Sequence, residues 1–421
     1  MSAIAGQLPE GAELIDGRYA WTRLAAATAL GSIGSVGMWS VVVILPAVQA
    51  DFGVDRAGAS FPYTLTMLGF ALGNVMIGRY TDRMGIVMPL IAAAISIGIG
   101  FVGAAMAAEL WQFALLQGLL IGIGTAATFG PLIADISHWF RKRRGAAVAI
   151  AACGNYIGGA IWPLAMQLIM AEGGWRTTYT AIGIFCVVTM IPLALLLKRP
   201  PPRIDSVTVA GASPGAAGAG GGTVMPFSKG TLMLMLSVAG VACCVAMSMP
   251  QVHIVAYCSD LGYGVAAGAD MLALMLAGGA VSRITFGFVA DRLGGVRTLL
   301  IGSVLQGLGL FFYLPFDGLM SLYVVSLMFG LAQGGIVPCY AIIVREYMPA
   351  REAGQRVGIL IMATIFGMAG GGLLSGWIYD VTLSYQAAFL NGIAWNLLNV
   401  AIMATILLRT RPRGPAALAA A

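Results

Sequence analysis

Charge is what this chain has least of. Asp, Glu, Lys and Arg make up 10% of its 421 residues, and there are only two histidines. A water-soluble domain of this size needs far more polar surface. The six cysteines (Cys153, Cys186, Cys243, Cys244, Cys258 and Cys339) have no metal-ligand spacing and read as small apolar packing residues. No paired His/Glu metal spacing, nucleophile motif or phosphate-cradling glycine loop falls within the apolar stretches, so neither an enzyme nor a cofactor is expected. A charged N-terminal region leading into a short apolar stretch with a cleavage site is also missing, so no removable signal peptide is expected.

Apolar residues are abundant, at 59% with a mean hydropathy of +0.90. They fall into twelve stretches, most of about 20 residues or more, the length that crosses roughly 30 Å of hydrocarbon. These are 20–48, 58–79, 86–107, 110–138, 146–171, 177–197, 230–258, 266–290, 297–315, 319–346, 355–379 and 385–408. The fold class expected is an all-α membrane protein of twelve transmembrane helices.

A net charge of +6 suggests nucleic acid until its distribution is considered. Of the 23 Lys and Arg residues, all but three fall on one side of the expected membrane, from Arg79 and Arg83 through Arg141–Arg144 to Arg409, Arg411 and Arg413. Only Arg56 and Arg176 lie on the other side, among Asp51, Asp55, Glu109, Glu172, Asp260, Asp270, Asp317 and Asp380. That asymmetry places both termini in the cytoplasm of a cell with an inner membrane, and it leaves no nucleic-acid partner. Arg283 is the third exception, inside a helix.

The segment GRYTDRMG at Gly78–Gly85 returns as GFVADRLG at Gly287–Gly294, 209 residues later. Gly145 matches Gly354 and Gly158 matches Gly367 at the same shift. A repeat of half the chain length marks a duplicated bundle of membrane helices. The halves are expected at 1–197 and 230–421, joined by a cytoplasmic linker at 198–229 whose Pro cluster stops the sixth helix and whose Gly/Ala/Ser run buries no core. In the repeated loops Gly85 and Gly294 supply backbone freedom, and Gly78 and Gly287 close helix contact. Asp82 and Asp291, with Arg83 and Arg292, are candidates for charge locks that hold one conformation closed.

These loops resemble the signature loop of the major facilitator superfamily, and helix count and repeat extend the resemblance over the whole chain. Two segments resemble its monocarboxylate porter family more narrowly. DGRYAW at Asp16–Trp21 enters the first helix as that family's D-G-G-W-G-W segment does. WFRKRRGAAVAIAACG at Trp139–Gly154 is similar to its second signature, with Phe140, Lys142, Arg143, Arg144, Ala147, Ala151 and Gly154 in register. The resemblance implies two six-helix bundles that expose a central site alternately to each side.

Arg283 is the leading site residue. It lies eight residues before Asp291, about 12 Å inside the helix end at 1.5 Å per residue. An arginine at that depth is expensive and faces a cavity or a partner. Its guanidinium grips a carboxylate through two parallel hydrogen bonds, and Gly279 and Gly287 leave room beside it. Asp135 is the other clearly intramembrane acid, so an ion pair is the competing role. The resemblance implies that an arginine in this helix binds the substrate carboxylate. His253 and Tyr257 share a face of the seventh helix and are candidates for proton relay or substrate contact. Asn155 and Tyr156 in the fifth helix, Tyr340 in the tenth and Phe366 in the eleventh complete the candidate site. Two features of the animal porters are missing: the acid one turn before the arginine is Gly279 here, and no lysine occupies Ser32–Pro46.

The expected function is secondary transport of a small monocarboxylate such as lactate or pyruvate by a monomer, with protons as the coupling ion. The alternatives are an organic anion exchanger of the oxalate/formate type and a proton-linked drug exporter of the same fold.

Overall fold

Hydrocarbon offers backbone N–H and C=O groups no hydrogen-bond partners, so spanning segments satisfy them internally as helices. The computed structural model describes residues 15–141, 143–199, 223–224, 227–348 and 350–412. Most of the expected 198–229 linker lies outside them, as does Lys142.

The first apolar stretch folds as α1 (Arg18–Gly34), α2 (Val36–Val43) and α3 (Leu45–Phe52), with breaks at Ser35 and Ile44. Next come α4 (Arg56–Met84) and α5 (Val87–Ala105). The fourth stretch contains α6 (Leu110–Leu116), a π-helical segment at Gln117–Gly122, α7 (Ile123–Ala127) and α8 (Gly130–Ile136). The fifth and sixth form the two helical arms of α9 (Arg144–Leu195), which meet end to end. Its break is Gly174, at φ 70° and ψ 179°, where the missing Cβ permits the turn with no intervening loop. The described residues contain eleven helical runs long and apolar enough to cross a membrane; the Gly145–Leu195 run, at 51 residues and broken at Gly174, is long enough for two crossings and so accounts for the twelve expected spans.

The second set is α10 (Lys229–Asp260), α11 (Gly264–Leu293), α12 (Gly295–Phe312), α13 (Leu319–Gln333), α14 (Ile336–Tyr347), α15 (Ala350–Thr382) and α16 (Tyr385–Arg409). α13 and α14 form one span around Gly334–Gly335. The α1–α9 bundle meets the α10–α16 bundle mainly where α4 packs on α15 and α9 on α11. The only strands among the described residues are Thr223–Val224 and Arg411–Pro412, which pair antiparallel.

One buried ion pair locks the first bundle. Arg23 is 1% exposed, and its Nε and Nη2 donate to the Asp135 carboxylate at 2.7 and 2.8 Å. Nη1 reaches the carbonyl oxygens of Leu197 and Arg199, and the guanidinium lies 4.5 Å from the Trp139 ring centroid. α1, α8 and the end of α9 are thereby held together. Asp135→Asn strands the Arg23 charge and should destabilise the protein by about 3–5 kcal/mol. Thermal unfolding in detergent measures this, and Arg23→Met combined with Asp135→Leu should recover most of the loss.

Candidate functional site

Arg283 stands where the two bundles meet. Its Nη1 donates to the Ala152 carbonyl of α9 at 3.0 Å, and Nε is 3.4 Å from the Gly334 carbonyl at the α13–α14 break. Its guanidinium lies 4.5 Å from the centroid of the Tyr156 ring, a cation–π contact across the bundle interface. No carboxylate answers its charge among the described residues, since Asp135 is taken by Arg23. The side chain is half-buried.

The interface is tight on the outer side of Arg283 and open on the inner side. A Cβ on Gly279 would come within 2.5 Å of the Tyr156 ring, so the space expected there for a ligand is filled by that ring. Gly287, one turn inward, has nothing within 4 Å of its would-be Cβ, and Gly78 has nothing either. The close helix contact expected of both glycines is therefore absent in this conformation. Gly85 and Gly294 do adopt positive φ, at 77° and 80°. Asp291, Arg83 and Arg292 are exposed, and Asp291 makes no hydrogen bond or ion pair among the described residues. The Asp82 side chain lies outside the described residues. Sequence reasoning missed Glu346, whose carboxylate accepts from the Gly295 amide at 3.0 Å and so anchors the second loop. Nearby, two hydrogen bonds from Arg356, at 2.7 and 3.0 Å, hold the Glu352 carboxyl below the usual carboxylate range.

Of the other candidates, Asn155 sits beside Tyr156 and accepts from Trp39 Nε1 at 3.1 Å. Tyr340 is 1% exposed and spends its hydroxyl on Asn399 Oδ1 at 3.1 Å, inside the second bundle. Phe366 is 52% exposed and makes no ring contact among the described residues. His253 and Tyr257 are not brought to Arg283. They lie within about 10 Å of the outer end of α10, whereas Arg283 is about 15 Å from the inner end of α11.

At that outer end the structure assembles a second polar cluster, built on Arg56. This side chain is 5% exposed; Nη2 donates to both Asp260 carboxylate oxygens at 3.0 and 3.1 Å, and Nη1 to the Tyr385 hydroxyl at 2.7 Å. The Asp380 carboxylate receives the backbone amides of Arg56 and Ala57 at 2.9 and 2.7 Å, capping the N-terminus of α4. Arg56 is one of the two cations on the acidic side, which was the available signal. The other, Arg176, pairs with Asp51 at 2.7 Å within the first bundle.

The two segments carrying the narrower resemblance touch each other. The Asp16 amide donates to the Trp139 carbonyl at 3.0 Å, and the Tyr19–Trp139 and Trp21–Phe140 ring pairs each lie 5.1 Å apart, edge to face. Together they fasten the entry of α1 to the α8–α9 connection.

Two six-helix bundles, repeated inner loops and an unpaired arginine between them define a membrane transport protein rather than an enzyme. The family description Major Facilitator Superfamily matches residues 27–271 and 234–421, and the chain belongs to that family. It is 26% identical to human Monocarboxylate transporter 11 over 91% of this chain and 82% of that one. Monocarboxylate transporter 13 of Bos taurus is 25% identical, over 94% and 91%. An Aspergillus niger protein, MFS-type transporter pynF, is 25% identical over 72% and 69%. In fold, the chain resembles a bacterial homologue of the human lysosomal transporter Spinster, with TM-score 0.67 and 15% identity over 92% and 96%. It also resembles the nucleoside transporter NupG, with TM-score 0.66 and 12% identity over 93% and 100%.

Gly334 backs directly onto the Gly279 carbonyl, and a Cβ there would overlap it. Gly334→Ala should therefore push α13 away from α11, shift the carbonyl that receives Arg283 and cost about 1–3 kcal/mol by overpacking. A fall in thermal stability would register the effect, while Gly287→Ala, facing open space, should leave stability within about 0.5–1 kcal/mol of wild type.

Proposed function

We propose that the protein transports small monocarboxylates of the lactate and pyruvate type across a bacterial inner membrane, coupled to protons, by alternating access. The observation that carries this reading is the guanidinium of Arg283, half-buried at the bundle interface without a carboxylate of its own. A substrate carboxylate supplies the missing charge, held by two parallel hydrogen bonds, while Tyr156 and the Asn155–Trp39 pair border the site. The similarity to two proteins named as monocarboxylate transporters supports the choice of substrate.

Movement of residues 1–197 against 230–421 exposes the site to each side in turn. The Arg56 cluster ties the outer ends together here, whereas the Asp291 side chain has no partner among the described residues on the inner side. That combination fits a state closed outward and open toward a cytoplasm that holds both termini. In the opposite state, the inner loops with Asp82 and Asp291 form the closing contacts.

The test is uptake of labelled lactate into proteoliposomes, with the outside acid and the inside neutral. Uptake stimulated by that gradient is expected. Arg283→Lys, which keeps the charge and loses the planar fork, should reduce uptake about 10- to 100-fold. Lactate uptake unchanged in Arg283→Ala would remove Arg283 from the site. Uptake driven by internal formate or oxalate, and indifferent to the gradient, would identify an exchanger instead.

A further inference from the structure

We propose that His253 is a proton-binding site and that the Arg56 cluster controls when outside solution reaches it. This deepens the proton-linked reading above by naming where the proton binds. His253 is fully buried in α10, and its Nε2 lies 2.8 Å from the Gly372 carbonyl oxygen of α15. A carbonyl only accepts, so Nε2 carries the ring hydrogen and Nδ1 presents a lone pair. That Nδ1 is buried without a partner among the described residues, as are the Tyr63 hydroxyl of α4 and the Ser375 hydroxyl of α15. A basic nitrogen kept ready and dry within a transport protein is a site for a proton.

Its cover comes from the other bundle. The Tyr63 ring packs against Gly372, where a Cβ would stand 3.2 Å from it, and a Cβ on Gly376 would stand 3.0 Å from the Arg56 carbonyl oxygen. Thr64 Oγ1 donates to the Ala369 carbonyl at 3.0 Å. Above them Tyr385, whose ring lies 6.0 Å from that of His253, accepts the hydrogen bond from Arg56. Parting α4 from α10 and α15 breaks these contacts together and opens Nδ1 to the outer solution.

The charged and titratable groups around the imidazole are Arg56 and Tyr63 from α4, Tyr257 and Asp260 from its own helix, Tyr379 and Asp380 from α15, and Tyr385 from α16. Asp260 is already engaged by Arg56, and Asp380 by the α4 amides. A proton taken from water by Nδ1 therefore meets no free carboxylate in the closed arrangement, and it adds a second cation beneath Arg56. The protonated ring favours the parted arrangement, where water reaches the new N–H. External acid should open the outer mouth.

The experiment uses the full chain in lipid, with spin labels at Ala50→Cys and Met320→Cys, both exposed on the outer ends of opposite bundles. The six native cysteines are buried, so the introduced thiols label selectively. Pulsed electron–electron distance measurements should show the population with the longer separation growing about tenfold between about pH 8 and about pH 5. His253→Gln should hold the short distance at both pH values, and His138→Gln should behave as wild type. Arg56→Gln should show the long distance at both; should His253→Gln fail to fold, this variant and the wild-type response carry the test. An outer mouth indifferent to pH in wild type, or equally responsive in His253→Gln, overturns the proposal. A responsive mouth with no lactate uptake overturns the substrate reading and leaves this one standing.

Discussion

Hydrocarbon does not solvate a guanidinium, and the arrangement of this protein follows from how three arginines meet that constraint. Arg23 meets it with a bidentate carboxylate, a ring and carbonyl groups, all inside the first bundle. Arg56 meets it with a carboxylate and a hydroxyl from the opposite bundle, so its satisfaction depends on the two bundles being together at the outer side. Arg283 has carbonyl oxygens and an aromatic face, and no counter-charge among the described residues. The first is compensated within its bundle, the second across the two bundles, and the third has no counter-charge among the described residues. The gating role proposed for Arg56 and the binding role proposed for Arg283 rest on that difference in where the compensating charge comes from.

The same reasoning orders the polar groups by depth. Towards the outer surface lies the Arg56 cluster with Tyr385 and His253 beneath it; nearer the inner surface lies Arg283; and at the inner surface Asp291 has no partner among the described residues. Gly279, against Tyr156, and Gly376, against Arg56 and Ala57, let the bundles close between the first two levels, and Gly287 faces open space beyond the second. Contact between the bundles is therefore graded from one surface to the other.

Much of this was legible in the sequence. Apolar stretch length, the 209-residue repeat and the one-sided placement of Lys and Arg suffice for the helical membrane fold, because the bilayer imposes them on any spanning chain. Arg283 and Tyr156 stood out as separate candidates, though their stacking across the interface depends on how two bundles dock, which no local pattern encodes. His253 and Tyr257 were legible as a pair on one helix face but were grouped with Arg283, since helical periodicity gives a face and not the depth at which a distant helix contributes its partners. Arg23 was hidden among the inner-side cations; its burial arises from Asp135, 112 residues away, and from Trp139. The turn between the fifth and sixth helices was legible at 172–176, where Glu172 and Arg176 interrupt the apolar run, and the structure narrows it to Gly174.

That last feature has a mechanical side. A connection one residue long has little slack, so the two arms of α9 stay joined at a single point. One arm carries Ala152 and Tyr156 against Arg283; the other carries Tyr179, packed on Phe101 and Phe113 deep in the first bundle. One continuous piece of chain, with a single glycine as its elbow, thus joins the wall that faces the guanidinium to the wall farthest from it.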